Sequence, residues 1–523
     1  MKTNKLFFYI SLIMFTCFGC DSFLEEEPRD IIAPENFFAN DSDAKQGITG
    51  IYSVLKNNSI YGQAGLDNWY DNGVDIIEPN RTHPIFAVMG NYTLNEVTAD
   101  ASNQKMSVSD TWQNLYRVIL NANVIIDRVD GNEAISNNVQ TSVIANARFL
   151  RALAYWHITN LWGDAPFYTE VLPLEEIGSL GRTDKDVILT SVLNDLEFAQ
   201  NNLPSVLPNE DRGRASKWAA AIIEAKIHMK AKNWQAGLAK CSEIINQSPH
   251  TLLSNYADVF SPDNEYNAEI IWSLDFAKDV TGQFEPAFPG RSFAGNNYWR
   301  PSLFNPRIRD EPANAADRDP LRAALAANGQ EFNGTGLQIA SRDFANKFPT
   351  NDLRRPLNIM DSYAGFALNH TYLPKFMNLN FESSPRFNHG DNRLIFRLAD
   401  VYLMAAECEN ELNGPGNAYQ YIHPIRQRAY ATQAEWELVG LSQQGFREAI
   451  YDERKWELAA EAHRRYDLIR WGIYLNVVRN AEFKTYSPNL NIKDHHVLLP
   501  IPLNELQLNP KLLESDPTNN GYR

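Results

Sequence analysis

Cysteine is nearly absent. The 523 residues hold four, Cys17, Cys20, Cys241 and Cys408, and the first two fall in the apolar N-terminal stretch, so no disulfide framework is available. Positive charge is also short, with 48 Lys and Arg against 64 Asp and Glu and a formal net charge of -16. With no Lys/Arg stripe to offset that balance locally, the chain would repel a phosphate backbone, which argues against nucleic acid as a partner. Catalytic signatures are missing too: there is no phosphate-binding loop, dinucleotide fingerprint, zinc-protease helix, nucleophile elbow or calcium-binding hand loop. What the chain does have is bulk, with 44% hydrophobic and 11% aromatic residues, enough for a large core in a globular protein.

Its one strongly apolar segment is at the start. Lys2 and Lys5 precede LFFYISLIMFTCFG, Leu6 to Gly19, the layout of a secretory leader. At about 1.5 Å per residue this run reaches only about 21 Å, less than the roughly 30 Å hydrocarbon core, so it is a poor permanent span. Gly19 followed by Cys20 resembles the bacterial lipoprotein box, in which the cysteine becomes the lipidated first residue; Cys17 stands where that box usually has an aliphatic. The expectation is a signal peptide over 1–19, a lipid anchor on Cys20 and a tether over 20–40. Acyl chains at about 0.8 kcal/mol per buried CH2 would hold the protein at a membrane. Glu25, Glu26 and Glu27 resemble the export tag that sends some lipoproteins to the outer face of the outer membrane.

Beyond the tether the pattern is helical. In VIANARFLRALAYWHITNLWGDAP two apolar stripes, one through Val143, Ala147, Leu150 and Ala154 and one through Phe149, Leu153 and Trp156, predict a helix buried on both sides and stopped at Gly163 and Pro166. Ser216 to Pro249 reads as two short helices about a Lys232-Asn233 turn, with Ala225 and Gly237 twelve apart; Ala406 and Ala418 repeat that spacing. Both match a tetratricopeptide-like repeat, in which small residues let paired helices approach closely. Further helix pairs are expected at Asp41–Lys56, Asp110–Val129, Asp184–Asn202 and Phe446–Val478, stacking into one curved scaffold. Glu453, Glu457 and Glu461, beside Arg454, Arg464 and Arg465, read as an ion-paired helix face, and Cys241 and Cys408 as packed thiols.

Two stretches break the pattern. Residues 255–392 and about 61–104 are rich in Asn, Gly, Pro and aromatics with almost no helical period, which marks functional loops. The chain thus divides into helical repeats over 41–254, a loop-rich ligand-binding part over 255–392 and helical repeats with a tail over 393–523.

Three segments, ARFLRALAYWHITNLWGDAPF (Ala147–Phe167), DERKWELAAEAHRRYDLIRWG (Asp452–Gly472) and VLLPIPLNELQLNP (Val497–Pro510), together with the closing NNGYR, resemble signatures of the SusD/RagB family in order along nearly the whole chain. One departure stands at Ala462 and His463, where a glycine is expected before a variable residue and Arg464; the segment reads as a structural helix. The resemblance implies a mainly α fold, a tetratricopeptide-like scaffold with a large irregular ligand-binding insertion. It also implies a non-catalytic lipoprotein of the outer membrane, facing outward, that binds glycan and delivers it to a SusC-like TonB-dependent transporter. No cofactor and no metal are expected.

A sugar binder needs flat apolar platforms for ring C–H faces, flanked by Asn, Asp, Gln or Arg for hydroxyls. Two loop stretches offer that mixture: Asn68, Trp69, Tyr70 and Asp71, and Asn296, Tyr298, Trp299 and Arg300. Asp71, Asp75 and Glu78 read as a solvated acidic loop, and His495 and His496 as poorly placed for a shared metal. The alternatives are a peptide-binding member of the same family, for which Arg291, Arg300, Arg307 and Arg309 would serve, a surface glycosidase, and a pure repeat scaffold for surface enzymes.

Overall fold

A computed structural model of the chain describes residues 37–63, 65–80, 84–101, 106–277, 300–379 and 389–523. Cys20 and the glutamates after it, Arg291, Asn296, Tyr298 and Trp299 lie outside the described residues.

Helices α1 (Asp41–Leu55), α2 (Gly65–Tyr70), α3 (Val108–Val129), α4 (Asn137–Leu161) and α5 (Lys185–Asn202) open the fold. Their starts are chemical. The Asn40 side chain accepts from the Ser42 and Asp43 N–H groups, and Ser107 with Asp110 forms a capping box for α3. The double stripe on α4 appears as full burial from Val143 to Leu161, broken only at Arg148. Inside that interior the Arg151 guanidinium pairs with both carboxylate oxygens of Asp195 on α5, at 2.8 Å each.

The repeat signature folds as read. Helices α6 (Lys217–Lys230) and α7 (Trp234–Gln247) pair about Lys232, which takes φ of +57°. Gly237 explains the spacing: a Cβ there would stand 3.1 Å from Cys408 Sγ and 3.2 Å from Met229 Cγ, so only glycine lets α7 lie so close to its neighbours. The partner helix is α8 (Leu398–Asn413), followed by α9 (Pro415–Gln427), with Ala406 and Ala418 fully buried. Cys241 and Cys408 are buried free thiols. The fold is that of a mainly helical, tetratricopeptide-like protein. Among the described residues no helix is long and apolar enough to cross a membrane.

The further helix pairs fail in number: Asp41–Lys56, Asp110–Val129 and Asp184–Asn202 are each one helix, α1, α3 and α5, and Phe446–Val478 is three, α10 (Gln443–Glu457), α11 (Arg464–Arg470) and α12 (Tyr474–Asn480). Between α10 and α11 the backbone turns through left-handed residues, Ala460 at φ +62° and Ala462 at φ +63°. The position where glycine was expected is thus a turn needing positive φ, filled here by an alanine at some strain. The turn is held because the Asp71 carboxylate accepts the N–H groups of Ala462 (2.6 Å) and Arg464 (3.1 Å).

The described strands form three antiparallel pairs: β1 (Ile77–Pro79) with β3 (Gln338–Ala340), β2 (Ile270–Leu274) with β6 (Arg393–Arg397), and the hairpin β4 (Met360–Tyr363) with β5 (Phe366–Tyr372). Strands β2 and β6 meet the scaffold through a buried charge cluster. Arg397 on β6 donates to Glu461 (2.6 and 2.8 Å), Glu457 (2.6 Å) and Glu269 (2.9 Å), while Arg354 binds Glu453 and Glu457. These glutamates therefore do not sit on an outward helix face paired to Arg454, Arg464 and Arg465. Their partners come from distant segments, and Glu461 lies past the end of α10.

Candidate functional site

The first predicted platform is in the core. Trp69 has 0% exposure and its indole N–H donates to Thr111 Oγ1 at 2.9 Å. Tyr70 and Tyr61 hydroxyls bind the two nitrogens of buried His157, whose pKa burial drives down to about 3. Asn68 accepts from Asn72, and Asp71 caps the Ala462 turn, its carboxyl pushed up to about 7 first by burial and then by the charge of Asp67. Arg300 is 1% exposed and donates to Asp67 and to the Ala460 carbonyl. A ring or fork enclosed in this way cannot stack on a ligand, so Asn68, Trp69, Tyr70, Asp71 and Arg300 are corrected from binding platform to interior anchors. The acidic loop is corrected as well: Asp75 pairs with Arg464 at 2.7 Å and Glu78 accepts the N–H groups of Lys484 and Thr485, so neither is solvated.

A different aromatic occupies the surface. Tyr266, 45% exposed, is the one aromatic among the large hydrophobic side chains that stand open to solvent in the described residues. The Arg212 guanidinium lies 4.6 Å from its ring centre, and its hydroxyl donates to Asp275 Oδ2 at 2.6 Å. Gly213 makes the approach possible, since it takes φ of +84° and a Cβ there would fall 2.8 Å from the Asp275 carboxyl carbon. Around Tyr266 the 205–216 loop, Pro249, His250 and strand β2 enclose a cavity of about 260 Å³.

A smaller cavity, about 60 Å³, borders the same strand and shares Ile270 and Ser273 with it, so the two flank β2 as neighbouring parts, together termed the β2 cleft. Its apolar end holds Phe260 and Phe376, edge to face at 5.6 Å, with Lys375 Nζ 4.5 Å from the Phe260 ring. Lys375 is itself fixed from below, donating to the carbonyls of Glu457 and Ala459 at the end of α10 and to Glu461. The polar end holds Glu265, Asp391 and Asn392. Burial, reinforced by the charges of Asp391 and Asp275, pushes the Glu265 carboxyl up to about 7, and burial raises Asp391 as well. The cleft thus sets aromatic faces beside the Glu265 carboxyl, which near neutral pH can both donate and accept, and the Asp391 carboxyl, raised in the same direction, with an arginine and an amide nearby. This is chemistry for a polyhydroxylated ligand. Among the described residues no group of three or more His, Cys, Asp or Glu is placed to hold a metal.

Tyr266 was within reach of sequence reading. Asn264, Glu265, Tyr266 and Asn267 carry the same aromatic-among-polar composition as the Trp69 stretch, inside the longer of the two irregular segments.

The chain is thus a helical-repeat scaffold with a loop-built cleft mounted on a rigid frame. Comparison with known proteins gives the class its family. Residues 315–522 match the SusD family, and residues 23–229 match the family described as starch-binding associating with outer membrane. A SusD-like protein of Formosa agariphila is 66% identical over 528 residues, covering 100% of both chains. The starch-binding protein SusD of Bacteroides thetaiotaomicron is 25% identical over 430 residues, 72% of each. A solved structure titled as a laminarin binding SusD-like protein superposes with a TM-score of 0.71 at 22% identity, covering 90% of this chain and 98% of the other. The chain belongs to the SusD family.

Proposed function

We propose that the protein is a non-catalytic glycan-binding lipoprotein of the outer membrane, anchored through Cys20, facing outward, and handing its ligand to a TonB-dependent transporter. The observation that carries the binding reading is the β2 cleft: Tyr266 offers a sugar ring an exposed aromatic face, and Asp275, Glu265, Asn392 and Arg212 surround it with hydroxyl partners. The names of its relatives support glycan as the ligand class, since they bind starch and laminarin. Of the arginines behind the peptide alternative, Arg300 is buried against Asp67 and Arg307 is paired with Asp310 at 2.9 Å, while Arg309 stays exposed.

Stacking at one or two platforms, at about 1–3 kcal/mol each by analogy with bases, gives millimolar to micromolar affinity. That suffices for a surface tether facing a multivalent polymer. The test is affinity gel electrophoresis of the soluble chain beginning at Asp21 against starch, laminarin and further polysaccharides, with released sugar assayed in the same samples. Retardation without product is expected. Released sugar would make the protein an enzyme, and no retardation on any glycan would remove the reading.

A further inference from the structure

A second cavity, of about 520 Å³, lies on the helical scaffold between α4, α5 and the start of the α6–α7 turn. Its size falls in the range of small-ligand sites. The ring of Trp156, with Leu189, Leu193 and Ile227, gives it apolar walls. Its polar wall holds Lys185, Lys230, His228 and Asn160 beside one carboxylate, Asp186, and the hydroxyls of Thr159 and Thr190, but its unmet buried atoms are of one kind. Trp156 (7% exposed) and Asn160 (8% exposed) line it, and the indole N–H of one and the amide Nδ2 of the other are buried without a hydrogen-bond partner. Native interiors rarely leave such donors unmet.

The orientation of Asn160 is fixed. Its Oδ1 accepts from Lys230 Nζ at 2.5 Å, and because an ammonium only donates, the NH2 group must be turned the other way. Two ammonium groups face this space, Lys230 and Lys185, the latter in the first turn of α5 and touching only the exposed Asp186 at 3.6 Å. Burial, and next the charge of Lys185, pushes Lys230 down to about 8. His228, also in the wall, is turned to Glu224 at 3.5 Å. The unmet groups are therefore all donors, beside two cations, in a protein whose net charge is -16.

We infer that this groove is a second binding site, specific for an oligosaccharide bearing a carboxylate. Lys185, Lys230 and the Asn160 amide take the carboxylate, the Trp156 N–H takes a hydroxyl or ring oxygen, and the apolar wall takes C–H faces. An extended peptide could use the Asp186 carboxylate for its N–H groups, but it offers Lys185, Lys230 and the Asn160 amide only neutral carbonyls, where a carboxylate gives charge-assisted bonds. That the ligand is a saccharide rests on the glycan reading above; that the site takes an anion does not.

The test titrates the full mature chain by calorimetry with tetragalacturonate and with its carboxyl-reduced, neutral counterpart. Variants Lys185→Gln, at an exposed position that leaves the core intact, and Trp156→Phe, which keeps a ring but removes the N–H, are compared after melting curves confirm folding. The acidic oligomer should bind at least tenfold more tightly than the neutral one. Each variant should weaken it by about tenfold, the usual weight of a charge-assisted or otherwise unmet buried hydrogen bond, while retardation on the glycan held by the β2 cleft is unchanged. Binding of tetragalacturonate that persists while every cleft glycan fails would overturn the cleft reading and leave this one standing. Equal affinity for both oligomers, no binding of the acidic one, or an unaltered Lys185→Gln titration would overturn the second site.

Discussion

Replacing Tyr266 by alanine removes the exposed ring of the β2 cleft and nothing from the core. The ring face is worth about 1–3 kcal/mol if a sugar stacks on it as a base does, so affinity for the glycan identified in the screen should fall by roughly 5- to 150-fold. Two further contacts go with the ring: the hydroxyl bond to Asp275 at 2.6 Å and the Arg212 stack at 4.6 Å. Tyr266→Phe separates them, because it keeps the platform and loses only the hydroxyl bond to Asp275, an internal bond present with or without ligand whose loss of about 0.5–1.5 kcal/mol falls on stability and not on affinity. Affinity should therefore stay near wild type in the Phe variant and fall in the Ala variant, read as gel retardation and checked by calorimetry on a defined oligosaccharide. Thermal melting should be nearly unchanged in both variants. An alanine variant that binds as wild type while folding normally would show that Tyr266 touches no ligand and that the cleft is not the site.

Arg397→Met strands Glu457, Glu461 and Glu269 in a dry interior with fewer counter-charges; a loss of about 3–5 kcal/mol is expected, several degrees of melting temperature in a protein this size, and an unshifted melt would refute the linkage of β6 to the scaffold. Ala462→Gly relieves the φ +63° turn at the cost of glycine's greater unfolded freedom, for a net gain of about 0.5 kcal/mol in urea unfolding; a loss would count against strain at that residue. Glu265 carries a raised folded pKa, about 7 against an ordinary 4.5, so its contribution is fully present below about pH 4.5 and is lost as pH rises through 7. Its partial exposure discounts the effect to about 1 kcal/mol. Glu265→Gln should therefore gain stability relative to wild type between pH 5.5 and pH 8, and a constant difference across that interval would refute the shift.

The helices were legible because period and caps are local. The stripes of α4, the Gly237 spacing and the 41–55, 108–129 and 185–202 helices all follow from residues within a few turns of one another. The site was less legible because burial is not local. Trp69 among asparagines and aspartates looks like a surface loop, yet both flanking aspartates are met from far along the chain: Asp67 by Arg300 and Arg393, Asp71 by the backbone at 462 and 464. A polar residue whose partner is some 390 positions away carries no short-range sign that it is satisfied. The same blindness made a helix of the segment through Ala460 and Ala462, whose turn exists to meet Asp71.

The final residues close the molecule. Asn519 receives the Ile501 N–H at 2.8 Å and donates to the Ile501 carbonyl, Asn520 donates to the Leu499 and Trp162 carbonyls, and the Tyr522 hydroxyl donates to Leu498. The run they hold is in turn hydrogen bonded to the end of α4, the Leu499 N–H to the Leu161 carbonyl at 2.7 Å and the Trp162 indole N–H to the Pro500 carbonyl at 3.0 Å. Such a clasp joins the first third of the chain to its last five residues, so assembly cannot finish while the polypeptide is still emerging. Removing residues 519–523 should therefore cost far more stability than the loss of a loose surface segment would.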